Sequence, residues 1–279
     1  MGSRVRRSVL YFVRKAKKMS NFFVELAAGG LPWYAVAIAA ALAYCLGNIN
    51  PAIIIGRSKG IDIRSEGSGN AGATNAMRSL GKKAGALTFV IDVVKGWAGY
   101  YLPFLILTNV LFYPMTGGTA YMVFYMPIVV PAAMLCGLCV VVGHMYPAFF
   151  GFRGGKGVAT AFGVLLAAAP QYALLLLAVV IVCTLIFRIV SVSVLIAVAV
   201  ALVTIFWGGG FFGENFYYNV GFLQFNVDQP LWVIIILALV VWKHHGNIAR
   251  LVKGEEKKLS FGGKNKDGDK TNNKEGTEA

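Results

Sequence analysis

Apolar runs of about 20 residues, each long enough to carry a helix through the hydrocarbon core of a bilayer, recur along most of this 279-residue chain. A segment in lipid must satisfy its backbone polar groups internally, so such runs fold as helices. Only 14% of the residues are charged, whereas a water-soluble domain carries about a quarter, and the mean hydropathy is +0.67. The expected architecture is an all-α, polytopic integral membrane helix bundle. A soluble enzyme, a secreted disulfide scaffold and a nucleic-acid-binding domain are excluded together, so nucleic acid is not among the expected partners.

Seven spans are predicted, at 31–56, 84–107, 119–143, 157–170, 171–187, 190–209 and 230–243, the fourth being short for a full crossing. Basic residues sit in alternate connections. Arg57, Lys59, Arg64, Arg78, Lys82 and Lys83 follow the first span, Arg153 and Lys156 the third, Arg188 the fifth, and nine Lys or Arg run from Lys243 onward. The stretches 108–118 and 210–229 contain neither Lys nor Arg. By the positive-inside rule the 57–83 loop, the 144–156 loop and the C-terminus face the cytoplasm. Seven spans then put the N-terminus outside, although residues 1–30 carry seven basic residues. Mixed basic and aromatic residues over 9–29 suit an interfacial amphipathic helix, and an inside N-terminus would require one span, first of all the short fourth, to be re-entrant. The chain divides into a basic N-terminal extension (1–30), a transmembrane unit (31–258) and a tail (259–279) too polar to order itself. Cys45, Cys136, Cys139 and Cys183 all fall in apolar stretches, so no disulfide framework is expected.

Three polar stretches carry chemistry. The first, residues 60–83, clusters Gly67, Gly69 and Gly72 with Ser68, Asn70, Thr74, Asn75 and Arg78 just ahead of a helix. Exposed backbone N–H groups, short donors and a planar cation suit an anion such as phosphate. The second, residues 143–160, brings Gly154, Gly155, Lys156 and Gly157 to another helix start. It is not a nucleotide P-loop, because the glycine spacing is one residue short and Gly157 stands where Ser or Thr would hold magnesium. Backbone N–H groups from Gly154 to Gly157 still make a second candidate phosphate site. In the third, residues 242–255, His244 and Asn247 share a helix face, as do Asn247 and Arg250. Asp92 and Lys95, three apart inside the second span, read as an ion pair near its basic end, or alternatively as lining of an active cavity.

No histidine is followed by the aspartate of a His-x4-Asp acyltransfer pair, since Phe149, Ala249 and Arg250 occupy those places. With three histidines and no aligned carboxylate cluster, neither a metal nor any other cofactor is expected. An anion transporter and a lipid-binding scaffold are rival readings of basic glycine loops, but the motifs lie on one side of the spans and no internal repeat is visible.

Taken together, the stretches resemble the acyl-phosphate-dependent glycerol-3-phosphate acyltransferases of the bacterial inner membrane. The resemblance is carried by Gly60 to Arg64, Gly67 to Asn70, Gly72 to Asn75, Arg78, Gly81 to Lys83, Asp92, Lys95-Gly96, Gly143 to Pro147, Gly154 to Thr160 and the set His244, Asn247, Arg250, Leu251, Gly254 and Glu255. It implies transfer of a fatty acyl group from acyl phosphate to the 1-hydroxyl of glycerol 3-phosphate beside membrane lipid. It also implies catalytic roles for Ser68, Lys156, His244 and Asn247. Substrate binding falls to Asn70, Thr74, Asn75, Arg78, Gly154, Gly155 and Gly157. The hydroxyl proton goes to His244 or to a substrate phosphate oxygen. Two places depart from the family: Gly47-Asn-Ile-Asn-Pro51, and His245-Gly246 in place of Arg-Glu, which leaves Glu255 as the nearest carboxylate.

Overall fold

The computed structural model describes residues 33–108, 126–207, 217–220, 223–226 and 230–259. Expectations for the N-terminal extension and for the tail beyond 259 lie outside these residues.

The helices run in chain order as α1 (Trp33–Asn48), α2 (Pro51–Ser58), α3 (Ala73–Leu80), α4 (Lys82–Leu105), α5 (Met126–Met145), α6 (Val158–Ala168), α7 (Pro170–Phe187), α8 (Val190–Trp207), α9 (Pro230–Lys243) and α10 (His245–Val252). A short antiparallel hairpin, Tyr217–Val220 with Leu223–Asn226, lies between α8 and α9. Apolar helices stand where the seven spans were predicted, but they are unequal. Among the described residues, Tyr34–Ser58, Lys82–Thr108, Val129–Phe150 and Pro170–Phe187 are long and apolar enough to cross a membrane, and α9 with α10, bent by 52°, makes at most a fifth. The fourth segment shrinks to the 11 residues of α6, about 16 Å at 1.5 Å per residue, half the hydrocarbon thickness. Seven full crossings are therefore not what these lengths support.

The short α6 does not, however, reverse the chain's sidedness. It starts at the face that carries the basic loops, and α7 returns there, because the Leu259 N–H donates to the Arg188 carbonyl at 2.6 Å. The two form a pair that enters and leaves by one face whatever depth its tip reaches. Re-entrance of this segment thus leaves the start of α1 on the opposite face.

Small residues set the closest helix approaches, as expected where lipid tails compete with apolar side chains and dense packing must hold helices together. A Cβ on Gly47 would lie 2.3 Å from the Val140 carbonyl, and one on Gly143 2.3 Å from the Tyr44 carbonyl, so α1 and α5 touch backbone to backbone. Gly96 and Gly163 do the same for α4 and α6. All four cysteines are free, as expected.

The Asn-Ile-Asn departure has a structural reason. Asn50 caps α2 by accepting from Ile53 N, and its amide donates to the Ala71 carbonyl of the first loop at 3.2 Å. Asn48 donates to Tyr44 and accepts from Phe149 N. This break between α1 and α2 therefore latches both polar loops.

Candidate functional site

Ile63, fully buried with Ala71 and Ala76 against Ala52 and Ile53 of α2, gives the first loop an apolar footing, and a side chain ties the rest. Asn75, 1% exposed, accepts from Ser68 N at 2.8 Å and donates to the carbonyls of Ile63 and Glu66 at 3.0 and 2.9 Å. Gly67 (φ +60°) is required here twice, since a Cβ would also fall 2.3 Å from the Asn75 Oδ1. The result lifts Ser68 and Asn70 over the start of α3, whose N-cap Gly72 supplies no side-chain cap, so the first-turn N–H groups keep their anion-binding character.

The second loop is held by backbone. Gly155 N donates to the His144 carbonyl at 3.1 Å and Gly154 N to the Met145 carbonyl at 3.3 Å. The turn lies so flat on the end of α5 that a Cβ on Gly155 would sit 2.1 Å from the His144 Nε2. Gly154 and Gly155 commit their N–H groups inward and stay out of the cavity lining, while Gly157, the N-cap of α6 without a side-chain cap, does line it beside Val158 and Ala159.

These two uncapped helix starts face one cavity of ≈ 190 Å³ at the basic face. Ser68, Asn70, Thr74, Asn75 and Arg78 line it from the first stretch, Lys156 and Gly157 from the second, His244 and Asn247 from the third. Every predicted site residue except Gly154 and Gly155 is thus brought together. Lys156 Nζ donates to Asn247 Oδ1 and Asn247 Nδ2 to Glu256 Oε1, both at very short separations. His244 donates from Nδ1 to the Val240 carbonyl at 2.7 Å. A carbonyl can only accept, so in the neutral ring Nε2 is the unprotonated nitrogen.

Burial holds Lys156 down to about 8, against the opposing pull of the Glu256 carboxylate and with help from Arg250 and Arg78. Glu256 itself is lowered: hydrogen bonds from Ser191, Asn247 and Arg250 outweigh its burial. Glu256, not Glu255, is therefore the carboxylate of the site. Glu255 is exposed, because Gly254 (φ +71°) ends α10 in a left-handed turn, with Glu255 N donating to the Arg250 carbonyl at 2.8 Å. That turn brings the following residue back over the cavity. Lys257 crosses to the first loop, donating to the Gly67 carbonyl at 3.2 Å and accepting from Arg78 at 3.3 Å. Sequence reasoning also missed Ser191, whose hydroxyl donates to Glu256 at 2.8 Å. A glycine followed by two acids was the available signal for Glu256, and nothing local marked Ser191.

Below the polar cavity lies an apolar groove that shares Phe89, Val158, Ala159, Val180 and Val194 with it. Its deeper wall is built from Phe162, Leu165, Leu176, Ala197 and Leu237 on four helices. Asp92 and His144 form part of the cavity floor, and Lys95 pairs with Asp92 at 2.8 Å. The pair is an ion pair, as one sequence reading had it, and of the two residues Asp92 but not Lys95 lines the cavity.

A family profile described as glycerol-3-phosphate acyltransferase matches residues 37–254. A glycerol-3-phosphate acyltransferase of Aquifex aeolicus is 38% identical over 77% of this chain and 94% of its own length. One of Clostridioides difficile is 35% identical over 80% of this chain and 94% of its own. Among solved structures, the glycerol 3-phosphate form of PlsY (YgiH), an integral membrane glycerol 3-phosphate acyltransferase, superimposes with a TM-score of 0.61 at 35% identity, covering 81% of this chain and 96% of that one. Its lysophosphatidic acid form gives 0.59, at 35% identity over 81% and 95%.

Proposed function

We infer the activity from one premise: this chain belongs to the glycerol-3-phosphate acyltransferase family. It is a multi-pass membrane enzyme, and we propose that it moves a fatty acyl group from acyl phosphate to the 1-hydroxyl of sn-glycerol 3-phosphate. The products are 1-acyl-glycerol 3-phosphate and inorganic phosphate, at the entry to phospholipid synthesis. The observation that carries this reading is the two-part site, a cationic, N–H-rich cavity that opens directly into an apolar groove. Such a shape suits substrates with a phosphate at one end and a fatty chain at the other.

The chemistry needs little more than positioning. The glycerol oxygen attacks the acyl carbon, the bond from that carbon to the phosphate oxygen breaks, and phosphate leaves with the electron pair. An acyl phosphate is already activated, so no covalent enzyme intermediate is required. Ser68, Asn70, Thr74 and Arg78 would hold glycerol 3-phosphate on the N-terminus of α3, with Asn75 keeping them in place. Lys156, steadied by Asn247 and Glu256, would oppose charge on the acyl oxygen and the departing phosphate. Gly157 would offer the α6 N-terminus to the acyl phosphate, with Gly154 and Gly155 shaping its loop. The free Nε2 of His244 could accept the hydroxyl proton, although burial lowers the ring to about 4 and makes it a weak base; a substrate phosphate oxygen is the other acceptor. The chemistry assigned here to protein groups calls on no cofactor.

The charge asymmetry supports a cytoplasmic position for this face in the inner membrane. Ser65→Cys and Gly151→Cys should then resist an impermeant thiol reagent applied to intact cells, and labelling of either from outside would overturn the assignment. For the reaction itself, purified protein is given glycerol 3-phosphate with acyl phosphate or with acyl thioester, and product and phosphate are followed. Product from the thioester alone would sink the donor assignment. No product from either, with labelled phosphate crossing vesicles, would make the chain a transporter.

A further inference from the structure

Under the cavity, one ammonium joins elements that carry both polar loops. Lys95, 3% exposed, places Nζ 2.8 Å from Asp92 Oδ1 and 2.9 Å from His144 Nδ1, and donates to the carbonyls of Ile49 at 2.7 Å and Gly47 at 3.2 Å. The backbone contacts follow from the sequence. In a continuing helix the Gly47 carbonyl would accept from the residue four places on, but Pro51 has no N–H, so the lysine substitutes for it.

From this point two short paths lead outward. Through the α1–α2 break, Asn50 reaches Ala71 in the first loop. Through His144, whose Nδ1 also lies 3.2 Å from Asp92, the cluster reaches the second loop, because the His144 carbonyl accepts from Gly155 and its ring packs beneath the Gly155 backbone. The loops meet there: a Cβ on Gly155 would also be 2.8 Å from the Ala71 carbonyl. A buried ion pair by itself adds little stability over an apolar replacement, so geometry is the better reason for charges at this depth.

We propose that Asp92, Lys95 and His144 are positioning residues for acyl transfer, fixing the two glycine loops against one another so that Ser68 and Lys156 act on the same bound substrate. A displacement of about 1 Å in such an arrangement can lower turnover about a hundredfold. The proposal rests on the acyl-transfer reading, and its test separates the two.

Spin labels on Glu66→Cys and Arg153→Cys, both exposed positions on the two loops, are introduced with the four native cysteines replaced. Their distance is measured without substrate in otherwise unchanged protein, in Asp92→Asn and in His144→Leu. The same cluster substitutions, without labels, are assayed for kcat and for the KM of glycerol 3-phosphate. Expected are a broadened distance distribution and a kcat about 10- to 100-fold lower, with KM within about threefold. His144→Asn, which keeps a polar atom near the Nδ1 position, should recover most of kcat, and His144→Gln, which mimics Nε2, should not. Rescue by Gln instead would make His144 a substrate contact, and an unchanged distance distribution would mean that the cluster does not set the loops; either overturns the proposal. Should Asp92→Asn fail to fold, the two His144 amides and the distance in His144→Leu decide the matter. A wild-type protein without acyltransferase activity would remove the reading beneath, while the distances would still judge the cluster.

Discussion

The two glycine-rich loops look alike in sequence, each a basic turn ahead of a helix without a side-chain cap, but they are fastened by opposite means. The first is tied from within by the three side-chain hydrogen bonds of Asn75, which leaves its short polar side chains facing the cavity. The second is tied from below, with two N–H groups bonded to the end of α5, and it delivers a single cation. A side-chain knot presents several weak donors at a set spacing, whereas a backbone dock presents one strong charge at a set height. This difference matches a site in which one loop would recognise the acceptor and the other would respond to charge that changes during reaction.

The sharpest way to break this division is Lys156→Ala. Removing a cation aimed at developing charge costs about 3–4 kcal/mol, so kcat/KM should fall a few hundredfold, read by steady-state kinetics on folded, detergent-purified protein. Lys156→Arg should recover part of the loss, because the charge remains but a planar head replaces a compact one. A loss below about threefold (under 1 kcal/mol) would assign the lysine to lipid headgroups instead.

Asn75→Ala tests the other fastening. Three hydrogen bonds at about 1 kcal/mol each put the expected stability loss near 2–4 kcal/mol by thermal or denaturant unfolding. The KM for glycerol 3-phosphate should rise about tenfold, since a loosened loop loses its preorganisation. A large stability loss with KM unchanged would mean that the first loop does not hold the acceptor.

A pH profile separates the loops without mutation. Lys156 is held at about 8 in the folded protein against an ordinary 10.5. Activity should therefore fall about tenfold per pH unit above about 8 as the ammonium is lost, and Lys156→Arg should abolish that limb. The linked effect on stability has the opposite sign. Between about 8 and 10.5 the unfolded chain binds the proton that the folded chain has released, so this group's contribution to stability rises with pH. Rate and unfolding profiles moving in the same direction would locate the titration elsewhere.

The smallest effects concern the segment after α10, which crosses to the first loop. Glu256→Gln weakens an acceptor shared by Ser191, Asn247 and Arg250 and should lower kcat/KM several-fold, whereas exposed Glu255→Ala should stay within about 0.5 kcal/mol in stability and leave turnover unchanged. Reversal of the two would restore the carboxylate assignment that the sequence suggested.

Much of this molecule was legible before its structure. Apolar runs located the helices and charge marked the basic face, while Ser68, Arg78, Lys156, His244 and Asn247 were expected in the site from their places in the family's motifs. The glycines themselves were the ambiguous part. Gly67 and Gly155 read the same, yet one accommodates a left-handed turn over a side-chain amide and the other lets a backbone lie on an imidazole. Asn75, Ser191 and Glu256 acquired their roles from partners that their local sequence does not reveal.

The sequence by itself determined the membrane setting, the helices and the face at which anionic chemistry belongs, because hydropathy and charge act residue by residue along a short window. Tertiary structure alone decided that Glu256 and not its neighbour turns inward, that Gly154 and Gly155 bond back onto the end of α5, and that Lys95 stands in for the missing amide of Pro51. Each of those outcomes depends on which donor and acceptor come within 3 Å when helix ends from distant parts of the chain are packed together. A buried polar group must find its partner wherever the fold brings one.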